Sequence, residues 1–161
     1  MLKPSFVLAV GMLAVSLGGC GGASATAVTL DGGHFGFITG DVDGVTVRAE
    51  MMASAGIKGV ADGLIYLNAS TTSVGLGWTL YVENSTGTTM DSPNYIALFE
   101  PDRTLRSDSD GATASVTVIA AARSLGDNIA GTFTATLATK STPPETVVVT
   151  NGAFEVRRNR E

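Results

Sequence analysis

Residues 76–83, with the sequence LGWTLYVE, alternate between apolar side chains and small or polar ones. Alternation with a period of two is typical of a β-strand that buries one face. The apolar positions are Leu76, Trp78, Leu80 and Val82, so we expect Trp78 to lie in a core. Tyr81 falls on the opposite face. Its ring, like those of Tyr66 and Tyr95, would be able to stack on a sugar or a protein partner.

The same period recurs on both sides of this stretch. It is found in residues 45–51 (VTVRAEM) and 132–137 (TFTATL), and we predict further strands over residues 35–39, 63–68, 94–99 and 114–121. The chain is rich in Thr and Val, which pack well on a pleated surface. These features predict an all-β fold, a single antiparallel β-sandwich of about eight or nine strands, with a small antiparallel β-barrel as the alternative.

Turn signals separate the predicted strands. Asn151-Gly152 stands between VVVT (residues 147–150) and AFEV (residues 153–156), and it is a strong signal for a two-residue hairpin. That register would place Val149 opposite Phe154. Thr142-Pro143-Pro144-Glu145 is predicted to be a loop, because proline cannot donate to a β-ladder. A short helical turn is predicted over residues 51–59, limited in length by its glycines.

The first twenty residues have the layout of a secretory signal. Lys3 precedes an apolar run over residues 6–17, and Gly18-Gly19 precede Cys20, the only cysteine. Leu17-Gly18-Gly19-Cys20 resembles a bacterial lipobox, which implies cleavage before Cys20 and acylation of that residue. The alternative is a spanning helix, but such a helix needs about 20 apolar residues.

Resemblance to Gram-negative lipoproteins implies three parts. Residues 1–19 would be a signal peptide, residues 20–29 the acylated cysteine with a flexible tether, and residues 30–161 the β-sandwich domain. The residue after the cysteine is Gly21 rather than Asp, which implies the outer membrane of the cell envelope. The membrane would then be bound through lipid on Cys20, because two or more acyl chains hold a protein stably.

Charge and cysteine content exclude several classes of protein. Cleavage would remove 19 of the 161 residues, leave one domain of 142 and change the formal charge from −5 to −6 by removing Lys3. An acidic domain argues against a nucleic-acid partner. With Cys20 acylated, no disulfide or thiolate metal site is possible. Arg157, Arg158 and Arg160 are predicted to form a solvated, frayed tail.

No complete catalytic set is found in the sequence. His34 is the only histidine, no Gly-x-Ser-x-Gly motif occurs, and one histidine is too few for a typical catalytic zinc site. Glycoside hydrolysis would need two carboxyl groups across one cleft. Four glutamates are predicted on strands: Glu50, Glu83, Glu100 and Glu155. Glu50, Glu83 and Glu155 fall on the solvated faces of those strands. We therefore expect a protein that is not an enzyme and has no cofactor.

Two acidic segments carry the pattern Asp-x-Asp-Gly. They are Asp41-Val42-Asp43-Gly44 and Asp108-Ser109-Asp110-Gly111. Asp-Gly is a common hairpin turn, and we predict turns at both. Calcium binding is the alternative, with Asp108 and Asp110 as the better candidates, although calcium needs six to eight oxygen ligands.

A family resemblance is carried by the two ends of the chain. The lipobox, GTFTATL at residues 131–137 and VVVTNGAFEV at residues 147–156 resemble a family of small β-rich bacterial lipoproteins without an assigned activity. The resemblance implies one β domain in which Phe133 and Phe154 fill the core. It implies no catalytic or ligand-binding residue.

Three functions remain open at this point. The preferred one is a lipid-anchored, non-enzymatic binding or assembly module of the envelope, with an unidentified protein or glycan partner. The second is a carbohydrate-binding or carbohydrate-active surface protein, which predicts Tyr81 or Tyr95 on an exposed face near carboxylates. The third is a weakly calcium-binding envelope module.

Overall fold

The computed structural model describes residues 36–57, 63–72 and 75–161. The predicted all-β fold is confirmed: within these residues the chain forms eleven strands, and every strand pair is antiparallel. In this part of the chain no helix has the length and apolar character needed to cross a membrane. The strands are β1 (Gly36–Val42), β2 (Val45–Ala49), β3 (Met51–Ile57), β4 (Leu64–Ser70), β5 (Gly77–Glu83), β6 (Gly87–Met90), β7 (Tyr95–Phe99), β8 (Thr104–Arg106), β9 (Thr113–Ala120), β10 (Asn128–Ala138) and β11 (Thr146–Arg157).

The eleven strands of the described residues form one hydrogen-bonded sheet, which folds over on itself into two layers. The first layer has the order β2-β1-β11-β10-β9-β6, and the second has the order β3-β4-β5-β7-β8. The layers meet where Ala138 of β10 pairs with Arg106 of β8, and again where Ala55 of β3 bridges to Arg158 just after β11. The result is a sandwich that is nearly closed into a barrel, so both predicted architectures describe part of it.

The core lies between the layers and follows the alternation in the sequence. Trp78, Leu80 and Val82 of β5 are fully buried, and Leu76 packs against them as predicted. Trp78 meets the ring of Phe133 from β10 edge-on, with 5.7 Å between the ring centroids. Its indole Nε1 donates a hydrogen bond of 3.2 Å to the carbonyl oxygen of Val47 in β2. One side chain thus ties the second layer to two strands of the first.

The hairpin predicted at Asn151-Gly152 is wrong. β11 continues through both residues and pairs with β1 on one side and β10 on the other. Val149 lies opposite Val42 and Ala135, not opposite Phe154. A hairpin of the predicted type needs positive φ at both central residues, whereas of this pair only Asn151 has it (51°). The register shifts by one residue here in both ladders, which makes Asn151-Gly152 a β-bulge.

The first acidic segment forms the turn that was predicted and also holds this bulge. Asp43 and Gly44 have φ of 47° and 84° and join Val42 to Val45 in a tight hairpin. Asp41 accepts hydrogen bonds from Asn151 Nδ2 (2.8 Å) and Thr46 Oγ1 (2.6 Å). These two bonds, the one from Asn151 first, lower the pKa of the Asp41 carboxyl. Both aspartates are therefore engaged in the sheet, since Asp43 Oδ1 also accepts from Val148 N (2.9 Å).

Two further expectations about local structure changed. The helical turn predicted over residues 51–59 is wrong for its described part, because Met51–Ile57 is β3 and pairs with β4. The strand predicted over residues 45–51 is divided at Glu50 into β2 and β3. The proline-rich segment at residues 142–145 lies outside the strands, as predicted. Phe133 and Phe154 are buried in the core cluster.

Candidate binding site

Several residues considered from the sequence lie outside the described residues. These are Cys20, the tether up to residue 29, and His34. Lipidation of Cys20 and the incidental role assigned to His34 therefore stay predictions. The remaining candidates lie in described strands and turns, where their neighbours can be named.

The outer face of the second layer carries a row of three tyrosines. Tyr66 of β4 lies directly opposite Tyr81 of β5, which lies directly opposite Tyr95 of β7. Their ring centroids are 5.4 Å and 5.2 Å apart, with the ring planes tilted by 39° and 38°. All three are half-buried. They point away from the core because alternation along each strand directs Trp78, Leu80 and Val82 inward.

An open groove of about 650 Å³ runs beside this row. We call it the tyrosine groove; with the three tyrosines, it is lined by Asn68, Thr79, Phe99, Arg106 and Asp108. Asn68 and Thr79 are paired residues on β4 and β5, two positions along the strands from Tyr66 and Tyr81 and on the same face. Asn68 Nδ2 donates to the hydroxyl of Tyr66 (2.8 Å) and to Thr79 Oγ1 (3.2 Å). The groove therefore has aromatic surfaces next to amide and hydroxyl groups.

One end of the tyrosine row is closed by an arginine and a carboxylate. The guanidinium carbon of Arg106 lies 5.3 Å from the centroid of the Tyr95 ring. Arg106 Nη2 donates to Asp108 Oδ2 at 2.7 Å. Burial raises the pKa of the Tyr95 hydroxyl, and the nearby charge of Arg106 opposes that effect. Tyr95 is therefore a neutral hydrogen-bonding group near neutral pH.

The second acidic segment forms a turn, as predicted. Ser109 O accepts from Ala112 N at 3.0 Å, and Gly111 has a φ of 77°. Asp108 is engaged by Arg106 in an ion pair, so a calcium ion would have to compete with a guanidinium for its carboxylate. Within the described ranges, no group of three or more His, Cys, Asp or Glu side chains could hold a metal ion. Calcium binding by Asp108 and Asp110 stays an untested prediction.

The glutamates considered for hydrolysis do not converge on one cleft. Glu50 pairs with Arg48, and Glu100 pairs with Arg103, which also binds Glu145 at 2.7 Å. Glu83 accepts a hydrogen bond from Thr89 Oγ1 (2.9 Å), and Glu155 accepts one from Asn128 Nδ2 (3.0 Å). The four glutamates on or beside strands are half-buried rather than fully solvated: Glu50, Glu83, Glu100 and Glu155. None of these side chains lines the tyrosine groove.

The three arginines near residue 160 do not form the frayed basic tail that was predicted. Arg157 is exposed, and its Nε donates to Gly126 O at 3.1 Å. Arg158 is only 8% exposed, and its Nη1 donates to Arg123 O at 3.0 Å. Arg160 lies elsewhere, beside Gly56 of β3. Arg157 and Arg158 are both held by the loop between β9 and β10, whereas Arg160 lies against β3, so the three arginines do not form one basic patch.

Sequence reasoning identified the tyrosines but missed their alignment. Alternation places Tyr81 opposite in phase to Trp78, and Tyr66 and Tyr95 are each out of phase with the apolar residues beside them. The row forms only because β4, β5 and β7 are neighbours in one register, and alternation within a strand contains no information about register between strands. Asn68 and Arg106 were missed for the same reason.

No known protein family, curated protein or solved structure matches this chain. The resemblance of its ends to small β-rich lipoproteins therefore stays a prediction. The tyrosine groove has to be interpreted from its own chemistry.

Proposed function

We propose that this protein is a non-enzymatic binding module of the bacterial envelope and that it binds glycans in the tyrosine groove. The observation that carries the proposal is the row of Tyr66, Tyr81 and Tyr95 beside a groove with amide and hydroxyl groups. This favours the carbohydrate-binding hypothesis, which predicted Tyr81 or Tyr95 on an exposed face near carboxylates. Asp108 is the carboxylate that lines the groove.

The chemistry of a sugar ring fits these groups. A pyranose has C–H faces that pack on aromatic rings and hydroxyls around its edge that need hydrogen-bond partners. In the tyrosine groove, the rings of Tyr81 and Tyr95 supply apolar area, and Asn68 supplies an amide. Thr79 is only 5% exposed and holds that amide by accepting a hydrogen bond from its Nδ2. Binding sites of this type combine aromatic surface with a few placed polar groups. A chain of sugars would have room along a groove of about 650 Å³.

The carboxylates support binding rather than hydrolysis. Glycoside hydrolases use two carboxyl groups on opposite sides of the bond that is cleaved, separated by roughly 5 to 9.5 Å. Among the described residues that line the tyrosine groove, Asp108 is the one acidic side chain. Its Oδ2 is already engaged by Arg106 Nη2 at 2.7 Å. The described lining of the groove therefore lacks the second carboxyl group that hydrolysis of a glycosidic bond needs.

We test the glycan proposal with Tyr81, the middle tyrosine. We expect Tyr81→Ala to weaken glycan binding by about tenfold to a hundredfold, since it removes the ring that contacts both neighbours. Titration calorimetry of the purified full-length chain would use three linear hexasaccharides, of glucose, N-acetylglucosamine and galacturonic acid. Val148→Ala is the matched control, because Val148 is an exposed residue of β11 in the first layer.

Two outcomes would contradict the glycan proposal. One is that none of the three hexasaccharides binds the unmodified protein at millimolar concentration. The other is that Tyr81→Ala and Val148→Ala change affinity equally. Tyr81→Phe separates ring contact from the hydroxyl: a variant that keeps most of its affinity assigns the effect to the ring.

The proposed envelope location depends on Cys20. The support is the order of Lys3, the apolar run and Leu17-Gly18-Gly19-Cys20 in the sequence. We expect Cys20→Ser to abolish acylation and to move the protein from the membrane pellet to the soluble fraction of a bacterial host. Mass spectrometry of the unmodified protein would show the added acyl mass at Cys20. If the Cys20→Ser variant is found in the membrane pellet as completely as the unmodified protein, the lipid anchor is refuted.

A further inference from the structure

The segment after β11 lies along the free edge of β3. Ala55 O accepts hydrogen bonds from the backbone N–H groups of Asn159 (3.0 Å) and Arg160 (3.1 Å). The side-chain Oδ1 of Asn159 accepts from Ala55 N at 3.3 Å. The preceding residue, Arg158, is buried and donates to the carbonyl oxygens of Ala122 and Arg123. The backbone of Arg160 is thus fixed against the second layer.

This attachment places Arg160 at one end of the tyrosine row. Gly56 of β3 lies directly opposite Tyr66 of β4, and a Cβ atom added to Gly56 would lie 3.0 Å from the Cβ of Arg160. The outer face therefore continues from Tyr66 across Gly56 to the backbone and Cβ of Arg160, just beyond the residues that line the groove. At the far end the row reaches Tyr95, under Arg106. An arginine lies at each end of the three tyrosines.

The two arginines differ in their charge partners. The ion pairs of the described residues join Arg48 to Glu50, Arg103 to Glu100 and Glu145, and Arg106 to Asp108. Arg106 is therefore neutralised by Asp108, whereas no ion pair within these residues includes Arg160 or its exposed neighbour Glu161. A guanidinium without a bound carboxylate keeps its donors for a ligand.

We propose that Arg160 is a specificity-determining residue and that the glycan bound in the tyrosine groove is acidic, with a sugar carboxylate at the Tyr66 end. This inference rests on the proposed function and adds the ligand's charge to it. A planar guanidinium can donate two parallel hydrogen bonds to a carboxylate. Asn68 and the tyrosine hydroxyls next to it would receive the sugar hydroxyls.

The test compares two ligands with the same sugar backbone, in which each carboxylate is either free or converted to an uncharged methyl ester. Hexagalacturonate and its fully methyl-esterified form would be titrated into the full-length chain at low and at physiological salt. We expect the unmodified protein to prefer the charged form by about tenfold at low salt, and we expect added salt to reduce the preference. Arg160→Gln should remove the preference by weakening binding of hexagalacturonate alone.

Two further variants separate the position of the charge from its presence. Arg157→Gln removes an exposed arginine from the end of β11 and should leave the preference unchanged. Gly56→Ala adds a Cβ that lies 3.0 Å from the Cβ of Arg160, so it should push the backbone of Arg160 outward against its hydrogen bond to Ala55 and reduce the preference without changing net charge. Circular dichroism would establish that each variant is folded.

The outcomes distinguish the two proposals. If both ligands bind equally and both are lost in Tyr81→Ala, glycan binding is supported and the role of Arg160 is refuted. If neither ligand nor the neutral hexasaccharides bind, both proposals are refuted. An equal loss of preference in Arg157→Gln and Arg160→Gln would refute a local role for Arg160 and indicate a general effect of net charge.

Discussion

Replacement of Trp78 by alanine is expected to lower the free energy of unfolding by about 4 kcal/mol. Trp78 is fully buried, and its ring is in edge contact with Phe133 of the opposite layer. Loss of the indole also leaves the carbonyl oxygen of Val47 without the hydrogen bond from Nε1. Small domains are stable by only about 5 to 15 kcal/mol. A large part of the total stability would therefore be lost with one side chain.

Urea unfolding followed by far-ultraviolet circular dichroism would measure this loss, because Trp78 is the only tryptophan and its fluorescence disappears with it. The free energy of unfolding of Trp78→Phe should lie between those of the unmodified protein and Trp78→Ala, since an aromatic ring remains but the Nε1 donor does not. Val148→Ala, at an exposed site, should change stability by less than about 0.5 kcal/mol. A loss of less than about 1.5 kcal/mol in Trp78→Ala would contradict the packing described here.

The strands that could be predicted are those whose burial decides their conformation. β5 was predicted because Trp78, Leu80 and Val82 alternate with residues that face outward. β6 and β8 were missed because they have only four and three residues, too few to show a period. They form because longer neighbours offer them a ladder: β6 pairs with β9, and β8 pairs with β7. Such tertiary pairing is not encoded in the local sequence.

The candidate site shows the same division. The sequence placed Tyr81 on the face opposite Trp78, which the structure confirms, but it could not supply the register that brings Tyr66 and Tyr95 beside it. The position of Arg160 beside the tyrosine row was even less accessible to prediction from the sequence. Arg160 reaches Gly56 because β11 belongs to the first layer while the residues after it lie on the edge of the second. Long-range closure of the fold, rather than any motif, therefore assembles the site.

The Asn151-Gly152 error has a specific physical cause. Val149 and Phe154 both face the core, although they are five positions apart and a regular strand would place them on opposite faces. Either a two-residue turn or a one-residue bulge brings them to the same face. The apolar pattern is identical for both. The strand pairing selects the bulge, because β1 and β10 form ladders with β11 both before and after Asn151-Gly152.

Substitution of Gly152 by alanine tests this bulge directly and is expected to destabilise the protein by about 3 kcal/mol. A Cβ on Gly152 would lie 2.4 Å from the carbonyl oxygen and 2.6 Å from the ring carbon Cδ2 of Phe133. The backbone oxygen cannot move without breaking the β10–β11 ladder, and the ring cannot move without disturbing Trp78, so the strain has no local relief.

Thr150→Ala is the matched control for Gly152→Ala, because Thr150 is an exposed residue of the same strand two positions away. Thr150→Ala should change the free energy of unfolding by less than about 0.5 kcal/mol. Truncation of the ring in Phe133→Ala should reduce the additional cost of Gly152→Ala but not abolish it, since the contact with the carbonyl oxygen remains. An exposed hairpin turn would have no aromatic ring packed against Gly152. If Gly152→Ala lowers the free energy of unfolding equally in the unmodified protein and in Phe133→Ala, the result argues for a turn and against the bulge.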